Sequence, residues 1–116
     1  MALAPAKLSE IAYIGSSSGS IYTNPSSTTS YVKTLLIHNT NTTTEAIVIN
    51  RVPNSGGSLG TAAASNRIYS FNLAANDTIE IKFEGPGQIL TATNDAIFAN
   101  TTTASKVTVT VMGMTA

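Results

Sequence analysis

At 116 residues the chain has the size of one domain, enough to bury a core without metals or disulfides, and it has no cysteine for staples or thiolate chemistry. The formal net charge is zero and only 10% of residues are charged, so no field attracts phosphates, and neither nucleic acid nor membrane is an expected partner. Low charge favours association over repulsion, and no apolar run is long enough to span a bilayer.

The opening "MALAPAKL" has small residues of the kind that precede a cleavage site. It lacks the basic start and long apolar stretch of a secretion signal. Pro5 keeps it out of a helix, so residues 1–8 are expected to form an extended arm ahead of a β-domain over residues 9–116. "SEIAYIG" and "SIYTN" read as the first strands, and the polar stretch Gly15–Ser30 as a long loop. "YVKTLLIHN" and "EAIVINRV" follow, joined by "NTNTTT", and are expected to pair as a hairpin. In the first, Leu35 and Ile37 share a face while Leu36 points the other way; in the second, Ile47 and Ile49 oppose Ala46, Val48 and Val52. Both strands are thus apolar on two faces. Either an internal loop or another subunit must cover the outer one, and this reading favours the subunit.

"PNSGGSLGTAAASN" (Pro53–Asn66) is a long Gly-rich loop with one helical turn at "GTAAAS". "NRIYSFNL" is a strand. "DTIEIKFEG" is the most amphipathic one, with Ile79, Ile81 and Phe83 alternating with Thr78, Glu80, Lys82 and Glu84. "QILTATN" and "KVTVTVMGM" complete the set, the latter with Val107, Val109 and Val111 on one face. "NDTI" at Asn76 recurs as "NDAI" at Asn94, which reads as two similar turns ahead of strand starts. About eight antiparallel strands predict an all-β, single-domain β-sandwich or jelly-roll-like fold.

Candidate chemical groups are sparse. His38 stands without a second His, a Cys or a nucleophile elbow, and reads as a strand-end residue bonded to a neighbour. Glu80 and Glu84 would lie roughly 13 Å apart along a strand, beyond the about 5–9.5 Å of a glycosidase pair. With Lys82 between them they read as a surface charge row that keeps a sheet edge from sticking. Asp77 and Asp95 each offer one carboxylate, too few for calcium. "NSGGSLG" has no following Lys and is no phosphate loop, and Thr108 with Thr110 is too short a ladder to bind ice. Tyr13, Tyr22, Tyr31 and Tyr69 could serve a sugar-binding surface but suit core edges equally. Asn41, Asn76 and Asn100 head Asn-x-Thr triplets, which carry little weight without a secretion signal. No catalytic residue, metal ligand or cofactor is expected.

"YVKTLLIHNTNTTTEAIVINRVPNSGG", "NRIYSFNLAANDTIEIKF", "GQILTATNDA" and the closing "VTVTVMG" together resemble a type of small tailed-bacteriophage virion protein, over roughly Tyr31 to the end. The resemblance implies a non-enzymatic head decoration, or cement, protein. Such proteins sit as homotrimers on the capsid surface, at three-fold positions, and brace neighbouring major capsid subunits. It implies a chain made in the host cytoplasm and built into the virion. Apolar faces around Leu36, Val48 and Ile49 would then seal the trimer. The segment Ala2, Leu3, Ala4, Pro5 and Ala6, with Ser58 and Leu59 of the Gly-rich loop, would touch capsid. The alternative is a receptor-binding or adhesion domain of a tail, fibre or baseplate that recognises surface carbohydrate. Residues before Tyr31 carry no part of the resemblance.

Overall fold

The computed structural model describes residues 4–116, with side chains from Leu8 onward. Its strands are β1 (Ala4–Lys7), β2 (Ala12–Tyr13), β3 (Gly19–Thr23), β4 (Ser30–Asn39), β5 (Glu45–Val52), β6 (Arg67–Leu73), β7 (Thr78–Lys82), β8 (Gln88–Leu90), β9 (Ala96–Thr101) and β10 (Val107–Thr115). A single 3₁₀ turn at Ala64–Asn66 overlaps the helical turn expected in "GTAAAS". The expected all-β sandwich is what the chain forms.

Two antiparallel sheets face each other, ordered β1-β10-β4-β7 and β3-β9-β5-β6, with β2 also on β10 and β8 also on β4. β1 and β2 run in one direction along β10, with Lys7 opposite Met112 and Ala12 opposite Val109. β7 and β8 do the same along β4, with Lys82 opposite Thr34 and Gln88 opposite Val32. Each pair is one interrupted strand, which leaves two four-stranded sheets. Every connection crosses between the sheets except β5–β6, and this order is that of a jelly roll.

The alternation read from sequence sets the inner faces. Leu35 and Ile37 of β4 and Val107, Val109 and Val111 of β10 meet Ile47 and Ile49 of β5 and Ile97 of β9, all buried. β4 and β5 do not pair, however. β4 bonds to β10, β7 and β8, and β5 to β6 and β9, so Asn39–Thr44 is an arch between sheets and not a hairpin turn. The physical reason is that both strands carry inward apolar sets, which bury each other best face to face across the sandwich.

The chain itself covers the outer face of β5 at its Val52 end, while on the same face Val48 is half-buried and Ala46 exposed. Val52 packs with Ala96, Phe98 and Ala62, so the Pro53–Asn66 loop folds back over its own sheet. At Val52 the cover is this loop and not the second subunit expected there. β9, absent from the strands read in sequence beyond its "NDAI" start, is the buried inner strand of that sheet, with its first four residues all buried.

The sequence echo is structural. Asn76 and Asn94 both take left-handed backbone conformations, with φ of 58° and 68°. Each closes a turn in which the next residue's N–H reaches back: Asp77 to Ala74 O and Asp95 to Ala92 O, both at 3.1 Å. A buried asparagine latches each turn at opposite ends of the sandwich. Asn39 donates its N–H to Asp77 O at 2.9 Å and its side-chain amide to Ala74 O, Leu73 O and Thr43 O. Asn24 donates its N–H to Asp95 O at 2.8 Å and its amide to Ala92 O and Thr28 O. Asn24→Ala and Asn39→Ala would each strand buried carbonyls, and each should lower unfolding free energy by about 1–3 kcal/mol in urea titrations. Effects of similar size are expected because each asparagine bonds both the first carbonyl of its turn and the backbone of the aspartate that closes it.

Candidate functional site

The polar groups that could carry chemistry sit at the two ends of the jelly roll. At one end Glu45, the first residue of β5, is 1% exposed. Its Oε1 accepts from Thr101 Oγ1 and from Thr103 N, both at 2.8 Å, and its Oε2 accepts from the Asn41 amide at 2.9 Å. Burial alone would raise its pKa. The donors from Thr101, Thr103 and Asn41 outweigh that and hold it below the ordinary glutamate value. No sequence signal singled out Glu45. A glutamate heading an apolar strand reads as its solvated start, and the donors come from residues far away in the chain.

At the other end Asp95 plays the matching part. Burial opposes its charge, but its Oδ1 accepts from the Asn54 backbone N–H and side-chain amide, both at 2.9 Å, and its Oδ2 from Ala92 N at 3.0 Å. These bonds hold its pKa below the ordinary aspartate value. Beside it Tyr22 OH donates to Ser30 Oγ at 2.7 Å, and Ser30 in turn donates to Asn24 Oδ1 at 2.6 Å. Among the described residues no buried side-chain polar atom lacks a hydrogen-bond partner. Both carboxylates are thus occupied in tying loops to strand ends.

The other groups singled out in sequence are dispersed. His38 Nδ1 lies 2.7 Å from Thr78 Oγ1 on the outer face of the β10–β4–β7 sheet, the neighbour bond expected of it. Glu80 pairs with Lys82 at 3.0 Å on β7, the expected charge row, and Glu84 is exposed beyond that strand. Asp77 caps its own turn by accepting from Thr78 N. Among the described residues no three His, Cys, Asp or Glu converge as a metal site. Tyr13 on β2 and Tyr69 on β6 lie at opposite flanks, Tyr22 is spent on Ser30, and Tyr31 lies half-buried on β4 between Met114 and Ile89, so Tyr13 and Tyr69, the two exposed rings, share no platform.

The expected subunit seal does not form one surface. Ile49 is 0% exposed inside the monomer and offers nothing to another copy. Leu36 and Val48 lie on the outer faces of different sheets, on opposite sides of the molecule. Leu36 is 37% exposed; Val48 is half-buried. The reason lies in the arch: β4 and β5 turn their outer faces away from each other.

The expected capsid-contact segments do converge, as far as they are described. Ala4–Lys7 is extended, as expected, but pairs with the last residues of β10 rather than standing free, placing Ala4 opposite Thr115. Ala116 bonds Thr29, Ser30 bonds Asn24, and Asn24 and Asn54 both bond Asp95, so the Pro53–Gly60 loop stands at the same end as Ala4. Ser58 closes a turn with Ser55 there, and Leu59 is exposed. Ala2 and Leu3 lie outside the described residues.

One shallow cleft, about 180 Å³, opens between the outer face of β5 and the Ala62–Ala64 segment, with Asn50, Asn100, Ser18 and Arg67 around it. That is below the about 300 Å³ at which small-molecule sites usually begin. Comparison with protein-family models, with curated proteins and with solved structures finds no match for this chain.

Proposed function

We propose that this chain is a non-enzymatic structural protein of a bacteriophage virion, a head decoration protein that braces neighbouring major capsid subunits. The observation that carries the reading is the gathering of β1, the end of β10 and the Ser58–Leu59 loop at one end of the jelly roll. That end offers backbone, small residues and one exposed leucine, and its buried carboxylate, Asp95, is taken up by Asn54 and Ala92. Three further features support it. Jelly rolls recur in capsid domains, an analogy of fold. The motifs from Tyr31 onward resemble small virion proteins. The near-neutral surface carries large exposed apolar side chains at Ile11, Tyr13, Leu36, Leu59 and Tyr69. Bracing is mechanical: added interface at the joints between capsid subunits opposes the pressure of packaged DNA, and about 1,600 Å² of well-packed contact is enough for a stable attachment.

The test is the position of the chain on the particle. Micrographs of virions with and without it should differ by density on the outer capsid, and heads lacking it should rupture at lower temperature or osmotic shock. Density at the neck, baseplate or fibre tip, with unchanged head stability, would reject the assignment. A second reading, recognition of surface carbohydrate, is favoured by the cleft beside Arg67 and Asn100. A glycan array separates the two, since a decoration protein should bind no sugar there.

A further inference from the structure

The sandwich has four open sheet edges, and three of them are guarded. β1 carries Pro5, which has no N–H to offer, and β2 is only two residues long. β3 is five residues long and broken by a register shift between Ser20 and Tyr22. β7 carries the Glu80–Lys82 ion pair and is cut off from β8 by the Phe83–Gly87 segment. β6 differs. Among the described residues it bonds only to β5, on one side, and it has seven residues, with no proline, no glycine and no charge after Arg67. Its register shift falls near its start, so Tyr69–Leu73 runs unbroken opposite Glu45–Ile49.

The faces of this edge are also sorted. Tyr69, Phe71 and Leu73 share the side of Ile49, Ile47 and Glu45 that looks into the sandwich, while Ser70 and Asn72 face solvent. Tyr69 is 40% exposed, an aromatic ring left at the open flank. Its centroid lies 6.1 Å from that of Phe83, the residue that follows β7 of the other sheet. A flank of this kind, regular and uncharged, is a template for another strand.

We propose that β6 pairs antiparallel with β6 of a second copy of this chain, about a two-fold axis at Phe71. The second copy is the fitting occupant because β6 carries no charge after Arg67, so an antiparallel copy brings no like charges together and sets apolar residues opposite apolar ones. Tyr69 meets the copy's Leu73, Phe71 meets the copy's Phe71, and Ser70 meets the copy's Asn72. Apolar groups fall on the inner side and polar groups on the outer. An isologous contact requires this self-matching, and zero net charge leaves no repulsion to oppose it. The contact joins two four-stranded sheets into one of eight strands and covers Tyr69. It goes beyond the particle reading and does not depend on it.

The test uses the full chain. Sedimentation of the wild-type protein over a concentration series should show a monomer–dimer equilibrium. Ser70→Lys with Asn72→Lys sets lysines opposite lysines across the axis, which should weaken dimerisation about tenfold or more. Both positions are exposed, so the circular dichroism of the monomer should not change. The wild-type chain has no cysteine, so disulfides report register without background. Ser70→Cys mixed with Asn72→Cys should give a mixed disulfide on mild oxidation, faster than either variant alone. A wild-type chain that stays monomeric through the millimolar range overturns the proposal. So does an assembly, such as a trimer, that the double-lysine variant leaves intact, or equal cross-linking by Ser70→Cys alone.

Discussion

Glu45→Ala is expected to cost on the order of 4 kcal/mol of unfolding free energy, because it strands several donors at once. The buried Thr101 hydroxyl, the Thr103 N–H and the Asn41 amide all donate to a carboxylate that is almost wholly enclosed, and all three lose that acceptor when it goes. Glu45→Gln keeps the volume but turns one amide group against the Asn41 amide. That amide cannot reverse freely, since Asn41 Oδ1 already accepts from Thr42 N. The isostere should therefore lose about 1–3 kcal/mol. The pH dependence follows from the direction of the shift. A carboxylate with a depressed folded pKa contributes stability that is fully present above its unfolded value and is lost as pH falls through the folded one. For Glu45 the loss begins near 4.5 and for Asp95 near 3.8, and both continue below. Urea midpoints measured down this range should fall in the wild type, and Glu45→Gln should show a shallower acid limb by one carboxyl group. An acid limb of unchanged slope in Glu45→Gln would mean that Glu45 is not a linked group.

What was legible in the sequence was whatever depends on period. Val107, Val109 and Val111 face inward as their spacing requires, and so do Leu35, Ile37, Ile47 and Ile49. The Asn-Asp echo marked two turns that prove equivalent in bonding as well as in letters. What failed depended on partners far away in the chain. "NTNTTT" fits a hairpin turn and an arch equally well, and only the burial of both strands against each other decides between them. Val52 shares a strand face with Ala46 and Val48, yet it is buried, because a loop that begins at the next residue returns over it. Val32 falls on the outer parity of Leu36, yet it is fully buried, because Lys33 has no partner on β10 and shifts the phase of the strand. The candidate contact surface was legible in the same uneven way. Ser58–Leu59 and the N-terminal segment do share an end of the fold, while Leu36, Val48 and Ile49 were grouped by a hairpin that does not exist.

The bulge at Lys33 sets up the second large effect, at Gly113. Met112 lies opposite Thr34 and Gly113 opposite Val32, so Lys33 is the extra residue of the bulge, and the backbone on either side of it runs close to both neighbours. A Cβ on Gly113 would sit 1.9 Å from Tyr31 O and 3.0 Å from its carbonyl carbon. On the opposite side of β4 a Cβ on Gly87 would sit 2.2 Å from Val32 O. These obstacles are backbone atoms of a strand held by β10 and β8, so neither can give way without opening the pairings of Ser30–Val32. Gly113→Ala should therefore cost on the order of 3 kcal/mol, as overpacking against a fixed backbone does. For a chain of this size that corresponds to a fall in Tm on the order of 10 °C by calorimetry. Gly56→Ala is the control. It has a positive φ of 59° but nothing within 4 Å of the added carbon, so it should cost only about 1 kcal/mol in conformational strain. If Gly113→Ala melted no lower than Gly56→Ala, the tight approach at the bulge would not govern stability. Because β1 is the other neighbour of this part of β10, with Ala6 opposite Gly113, the variant should also speed amide exchange in Ala4–Lys7. Strain at this bulge would then be read out at the segment proposed to meet the capsid.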